Sequence, residues 1–344
     1  MNKKTFSDIP SFRDFGIPFT VRTSPHWSTV QNATRDWAES HGMFRDEKTK
    51  HKFNNLAYAR LVAKACPDAS IEELTQLARW ITFFFVLDDQ QDNAVFTNRV
   101  ADFLELQSRI IDTLMSEGER HSGAQSPLLS ALSDLCRRTA NMVSREYYIR
   151  LTVNIKDALS GQKAEILYRK SRALPTVRDF IAVRRYASTV HANLTLIEAC
   201  AKVYVPDEIY HMPAFQEMIL SVADITCWCN DVWSAERDHA NHDPINYVSV
   251  LRGTGLDSNQ ATRKTVEAVG RRIRDNIQSK ENLLRTMQDM RVPEEVVSSC
   301  LAAVQLGRNW IAGTAQWYWD ETTRLLQHAE AAPGTNPDFV SDLL

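Results

Sequence analysis

The chain has 344 residues, of which 44% are hydrophobic and 24% charged, with a formal net charge of -3; this is the composition of a folded globular protein and excludes a disordered or collagen-like one. Acids and bases are interspersed, so no nucleic-acid footprint and no membrane-gripping tail is expected, and a polyanionic ligand has to be held by local cations. Six cysteines scattered over this length (Cys66, Cys136, Cys200, Cys227, Cys229 and Cys300) exclude a dense disulfide scaffold and predict reduced, buried thiols. Cys227 and Cys229, two apart in a helical stretch, point to different sides, and no second pair completes a zinc site.

In chain order, Met1 to Phe15 carries two lysines but no apolar run, so it does not read as a signal peptide. The longest apolar run, Trp80 to Leu87, is too short to span a bilayer, so a cytoplasmic protein without membrane insertion is expected. Residues 1–16 are expected to be a flexible end, and Pro18 to Pro25 an extended lead-in. Ser70 with Glu73 three residues on forms a capping box that starts the first clear helix. Its apolar stripe of Leu74, Leu77, Ala78, Ile81 and Phe85 continues into Asp88 and Asp92. A second helix is expected from about Met218 to His239, with the stripe Ile219, Ala223 and Cys227 running on into Asn230, Ser234 and Arg237, flanked by Asp238. A third, from about Pro293 to Gln327 or as two helices broken within that range, has a last stripe of Trp310, Gly313, Trp317 and Arg324. The tail from Ala331, with Pro333, Gly334 and Pro337, ends the pattern, and 331–344 is expected to be flexible. With 11 glycines, no phosphate-cradling loop, few alternating stretches and no linker or repeat, residues 1–344 read as one all-α domain.

In all three helices an apolar face ends in polar residues. Asp88-Asp89-Gln90-Gln91-Asp92 places two carboxylates one helical turn apart, able to share hard cations such as magnesium. A solvated acidic helix end is the plainer alternative, although carboxylates near a helix C-terminus oppose its dipole. Asn230, Ser234 and Asp238, spaced four and four, line up a carbonyl, a hydroxyl and a carboxylate that together could hold one magnesium or simply form a wet face. The two sets together point to a cavity with metal sites on opposing walls and a diphosphate bridging them.

Phe84-Phe85-x-x-Asp88-Asp89-x-x-Asp92, followed about 140 residues later by Asn230-Asp231-x-x-Ser234-x-x-x-Asp238, resembles the class I terpene synthase family, and bacterial-type sesquiterpene cyclases most of all. The likeness runs from Ile17-Pro18-Phe19 and Pro25-His26 to the Arg324 region. It implies an all-α bundle around a central active-site cavity. It also implies three Mg2+ ions, held by Asp88 and Asp92 with Asp89 in support, and by Asn230, Ser234 and Asp238. Phe180-x-x-x-Arg184 resembles the stretch that carries the family's diphosphate-sensing arginine, with Arg185 as the fallback. Arg237 stands where the family has a lysine, and Arg324 where it has the arginine of an Arg-Tyr pair. Phe84, Phe85, Trp310 and Trp317 are candidates to stabilise a carbocation through their ring faces, with plain core packing as the alternative.

Two departures stand out: Asp238 replaces a glutamate, and Leu325 takes the place of the tyrosine, for which Tyr318 could substitute as a donor. His239, His242 and Asp243 read as a polar loop rather than a metal site, Asn246-Tyr247-Val248 as a structural segment, and Glu165 with Arg169 as an ion pair. The resemblance implies ionisation of an isoprenyl diphosphate and cyclisation of the cation by a monomer or homodimer. Farnesyl diphosphate is favoured over geranylgeranyl diphosphate. A chain-elongating prenyltransferase would need a second aspartate-rich motif, which the chain lacks, and a non-catalytic scaffold with a decayed site is the remaining rival.

Overall fold

The computed structural model describes residues 10–44, 46–119, 126–322 and 324. In chain order its helices are α1 (Trp27–Ser40), α2 (Glu47–Leu56), α3 (Tyr58–Ala65), α4 (Ile71–Phe96), α5 (Val100–Met115), α6 (Pro127–Met142), α7 (Arg145–Ser171), α8 (Val177–Ala187), α9 (Val190–Cys200), α10 (Asp207–Tyr210), α11 (Pro213–Ala240), α12 (Tyr247–Gly253), α13 (Ser258–Asp289) and α14 (Glu294–Gln316). No strand occurs among the described residues, as the all-α reading expects. No helix among them is long and apolar enough to cross a membrane.

Local chemistry fixes the helix starts. Ser70 Oγ accepts the Glu73 amide and the Glu73 carboxylate accepts the Ser70 amide at 2.8 Å, so α4 opens on the expected capping box. Ser126, Ser144, Thr176 and Asp257 cap α6, α7, α8 and α13 through their side chains. Along α4, Leu74, Leu77, Ala78 and Ile81 are buried and Phe85 partly so. The second helix, expected from Met218, begins earlier because Pro213 occupies its first turn, where a missing N–H costs nothing. The third expected helix is broken: α14 stops at Gln316 and a five-residue π-helical turn, Trp317–Glu321, leads towards Arg324.

The flexible end expected for residues 1–16 does not hold for residues 10–16. Phe15 is buried edge-on against Trp233, ring centres 5.3 Å apart, and the Trp233 indole donates to the Pro10 carbonyl at 2.8 Å. Residues 17–24 carry no regular structure, in line with the extended lead-in. Leu325 and residues 331–344 lie outside the described residues. All six cysteines are free and buried.

Helices α4, α7, α8, α9, α11 and α14 wall a central cavity. Between α8 and α9 the chain breaks at Ser188 and Thr189, and Thr189 takes a φ of +60°, a strained conformation for a β-branched residue. The break is held against α7 at Gly161, where a Cβ would sit 2.5 Å from the Ala187 backbone nitrogen. Gly161→Ala is therefore expected to destabilise the protein by about 1–3 kcal/mol through overpacking against backbone that cannot yield. A thermal melt unchanged from wild type would show that the two helices slide apart freely.

Candidate active site

The cavity has a volume of about 770 Å³. Its two ends differ in character. Around the mouth, α4 contributes Asp88 and Asp92, α7 contributes Glu165 and Arg169, α8 contributes Arg184, and α11 contributes Asn230, Arg237 and Asp238. Deeper in, Leu61, Ile81, Phe84, Val190, Cys227 and Trp310 make a largely apolar wall. Position along each helix sets the order: Ile81 to Asp88 and Cys227 to Asn230 each climb one to two turns from apolar to polar.

The acids of the mouth are paired with arginines, most of them from distant parts of the chain. The Arg324 guanidinium donates to Asp88 Oδ2 at 3.1 Å and to Asp89 Oδ1 at 2.9 Å, and lies 4.7 Å above the Phe85 ring. Phe85 itself stacks on Tyr58 at 4.6 Å. Arg169 sits 3.4 Å from Asp92, 3.6 Å from Glu165 and 3.0 Å from Asp243. Arg184 donates to Asp231 Oδ1 at 2.8 Å and to Asn230 Oδ1 at 3.3 Å. Arg237 donates to Asp238 Oδ1 at 2.7 Å.

On α11, Ser234 Oγ donates to Asp238 Oδ2 at 2.6 Å, and both are tied to Asn246, whose Nδ2 donates to Asp238 Oδ2 at 2.9 Å and reaches Ser234 Oγ at 3.3 Å. Ser234 is buried behind Asp238 and does not itself line the cavity.

These side chains suit a hard cation. Every donor in the two motifs is oxygen, and Glu165 Oε1 is buried without a hydrogen-bond partner. Burial pushes the Asp89 carboxyl up to about 6 against the pull of Arg324, and Asp231 up to about 6 against Arg184. Burial also raises Asp92, with Arg169 opposing. The mouth thus carries more buried carboxylate than its arginines offset. No three His, Cys, Asp or Glu side chains among the described residues are grouped so as to hold a metal ion by themselves.

The same shifts predict how stability follows pH. Asp89, Asp231 and Glu198, the last raised by burial to about 7, bind protons more tightly folded than unfolded. Stability is then largest below their unfolded values near 4 and is lost as pH rises through about 6 to 7. His191, lowered by burial to about 4, and His41, also lowered by burial, oppose this below pH 6.5, but they are two groups against the three carboxyls. The metal-free protein is expected to melt at a higher temperature at pH 5 than at pH 7.5. A melting point that climbs over that interval would contradict it.

Of the sequence-based assignments, Asp88, Asp92, Asn230, Asp238, Arg184, Arg237 and Arg324 all face one cavity, with Phe84, Phe85 and Trp310. Asp89 stands behind them on Arg324. The fallback Arg185 is drawn away by Asp224 at 2.7 Å. Trp317 is a correction: it is fully buried, does not line the cavity, and donates its indole N–H to the Leu56 and Ala57 carbonyls at 3.0 and 3.1 Å. The cavity face runs in steps of four through Trp310, Thr314 and Tyr318, which leaves Trp317, still α-helical in its backbone, on the flank that packs against residues 56 and 57.

Sequence reasoning missed Asp231, which orients Arg184 and accepts the Tyr247 amide at 3.1 Å, although it lies inside the second motif. Asp243 lies in the loop expected of it, between α11 and α12, and from there pairs with Arg169 and lines the mouth. The Asn246 segment, read as structural, reaches both Ser234 and Asp238.

An all-helical bundle with oxygen ligands and arginines at the mouth of an apolar cavity defines the class I terpene cyclases, whose substrates join an anionic head to a hydrocarbon tail. Comparison with known proteins agrees. Residues 79–275 match the model of terpene synthase family 2, C-terminal metal binding. A (+)-T-muurolol synthase of Roseiflexus castenholzii is 30% identical over 69% of this chain and 72% of its own. A (-)-beta-caryophyllene synthase of Saccharothrix espanaensis is 25% identical over 97% and 94%. The crystal structure of linalool/nerolidol synthase from Streptomyces clavuligerus in complex with 2-fluorogeranyl diphosphate shares the fold, with a TM-score of 0.77 at 20% identity over 88% of this chain and 97% of that one. The chain belongs to the terpene synthase family and is a bacterial-type class I terpene cyclase.

Proposed function

We propose that this cyclase takes farnesyl diphosphate, ionises it with magnesium, and folds the fifteen-carbon cation into a cyclic sesquiterpene, residues 1–344 acting as one catalytic domain. The observation that carries the reading is the division of the cavity, with Arg184, Arg237 and Arg324 and two oxygen-ligand sets at the mouth and apolar side chains below. The volume of about 770 Å³ lies within the usual range of small-ligand pockets, about 300–1,000 Å³. The relatives named for cyclising farnesyl diphosphate favour the fifteen-carbon substrate.

Asp88 and Asp92, supported by Asp89, and Asn230 and Asp238 would hold the ions, three in number by analogy with the family, with Ser234 joining them once its hydroxyl leaves Asp238. Bound there, magnesium supplies Lewis-acid neutralisation of the departing diphosphate. The residues of the chain do the rest. Arg184, Arg237 and Arg324 donate hydrogen bonds to the diphosphate oxygens, where negative charge grows as the carbon–oxygen bond breaks. Doing so requires them to let go of Asp231, Asp238 and Asp88, so ligand binding exchanges one set of ion pairs for another. Release of Arg324 from the Phe85 ring would free that ring, with Phe84 and Trp310, to face the cation in a cavity closed to water.

Tyr318 lines the cavity and, with burial raising its phenol to about 12, stays protonated and able to donate. It is placed to stand in for the tyrosine that Leu325 replaces. Tyr318→Phe is expected to raise KM for the diphosphate about tenfold, the worth of one hydrogen bond to a charged group. Adding Leu325→Tyr should restore it, and no effect from either change would remove Tyr318 from the site.

Incubation of the purified protein with geranyl, farnesyl and geranylgeranyl diphosphates, with and without magnesium, followed by gas chromatography and mass spectrometry, tests the whole reading. A magnesium-dependent cyclic C15 product from farnesyl diphosphate supports it. A C20 product, or linear diphosphates lengthened when isopentenyl diphosphate is present, would replace it.

A further inference from the structure

Lys64 on α3 is 3% exposed, and no other lysine among the described residues is buried. Its ammonium lies 3.0 Å from Oε1 of Glu321, the last residue of the π-helical turn, and donates to Thr23 Oγ1 at 3.0 Å. Arg60, one turn earlier on α3, stands 3.7 Å from the same Glu321 oxygen. Gly313 on α14 makes room for the lysine stem, since a Cβ there would meet Lys64 Cβ at 2.8 Å. Neither Lys64 nor Glu321 lines the cavity, so neither touches a ligand bound in it.

The pair is costly to place. Two charges taken out of water regain what they lose only if their remaining lone pairs are satisfied as well, and Glu321 Oε2 is buried without a partner. Stability alone therefore does not account for it; what a buried pair can fix is register. Register matters at this point of the chain because α14 cannot aim Arg324 by itself. After the π-turn Thr322 is extended, at φ -110° and ψ 145°, so no helical ladder carries the direction of α14 on to residue 324. Contacts from α3 and the break before it hold the turn instead. Lys64 and Arg60 take Glu321, and the Leu56 and Ala57 carbonyls accept the Trp317 indole. The same helix receives the arginine itself, since Tyr58 stacks on Phe85 and its hydroxyl lies 3.5 Å from Arg324 Nη1. Tyr58 and Lys64 are six residues apart, about 9 Å along the helix axis. Helix α3 thus sets the distance between the anchor of the turn and the place where the guanidinium ends.

We propose that the Lys64–Glu321 ion pair is the anchor that aims Arg324 at the cavity mouth, which makes Lys64 and Glu321 positioning residues for capture of the diphosphate. The proposal rests on the reading above in which Arg324 binds that group. With the backbone pinned at residue 321, the exchange of Asp88 and Asp89 for diphosphate oxygens is confined to the guanidinium. Without the pin, ordering of the segment has to be drawn from the binding free energy, and affinity falls.

The test is a double-mutant cycle read by calorimetry of inorganic diphosphate binding in the presence of magnesium. Lys64→Met with Glu321→Leu removes both charges and keeps an apolar contact, so the melting temperature should hold. Diphosphate affinity should fall about tenfold, the worth of one hydrogen bond to a charged group. KM for farnesyl diphosphate should rise by a similar factor with kcat little changed. In an Arg324→Met background the same two changes should cost less than about twofold, because an anchor that acts through Arg324 has nothing left to aim. Should the paired variant fail to fold, Glu321→Gln, which keeps the shape and an oxygen for Lys64, is put through the same cycle and is expected to lose affinity only where Arg324 is present. Affinity unchanged by these variants, or lowered equally with and without Arg324, would overturn the proposal. The calorimetry contains no isoprenoid, so it decides the anchor whichever substrate the enzyme turns over. An Arg324→Met variant that binds diphosphate as tightly as wild type would overturn the role given to Arg324 and the anchor with it.

Discussion

Asp88→Asn is expected to lower magnesium-dependent turnover by at least about 10²–10³-fold, the scale on which removal of one preorganised charge-stabilising group acts. About half of the Asp88 side chain is open to the cavity, and in the free protein its only ion pair among the described residues is with Arg324 at 3.1 Å. Replacing an oxygen by an amide nitrogen keeps the volume but removes the charge that would attract a divalent ion. The fold should not suffer. Asp88 raises the pKa values of buried Asp89 and half-exposed Asp92 by like-charge repulsion, so its neutralisation relieves strain and the melting temperature should hold or increase. Wild-type activity in this variant would remove Asp88 from the metal site.

Asn246→Ala should strike both stability and activity. Asn246 is fully buried and caps α12 by accepting the amides of Val248 and Ser249, while its Nδ2 donates to the Asp231 carbonyl and to Asp238. Loss of the cap costs about 0.5–2 kcal/mol, and leaving buried acceptors unpaired adds about 1–3 kcal/mol. At about 2–4 °C per kcal/mol, a fall in melting temperature of roughly 3–20 °C follows. Magnesium affinity should drop about 10–100-fold, because partners that orient a metal's ligands matter on that scale. Thermal melts combined with magnesium titrations of diphosphate release separate the two effects. A lower melting point with unchanged magnesium dependence would make Asn246 purely structural.

These two residues mark how far the sequence could be read. Asp88 was legible because helical periodicity is local: a capping box at Ser70 fixes where α4 begins, and steps of three and four carry its apolar stripe to Asp88 and Asp92 without knowledge of any other helix. The same holds for Asn230, Ser234 and Asp238 along α11. Asn246 was visible only as part of a short segment, since its tie to Asp238 spans a turn whose path no periodicity sets. Trp317 shows the limit of the method from within. A stripe of Trp310, Gly313 and Trp317 and a face of Trp310, Thr314 and Tyr318 are both helical, and only the packing of α14 against its neighbours turns the second towards the cavity.

The sequence by itself determined the all-helical class, the two ligand sets and the order in which they occur, because each depends on the side chains within a few turns of one helix. Tertiary structure alone decided which arginine meets which acid. Arg324 reaches Asp88 across 236 residues, Arg184 reaches Asp231 across 47, and Arg169 joins Asp92 to Asp243. It also decided which polar side chains of the cavity wall would be left without partners. Pairings of that kind arise where helices distant in the chain are packed side by side, and only the packing of the whole bundle sets the distances between them.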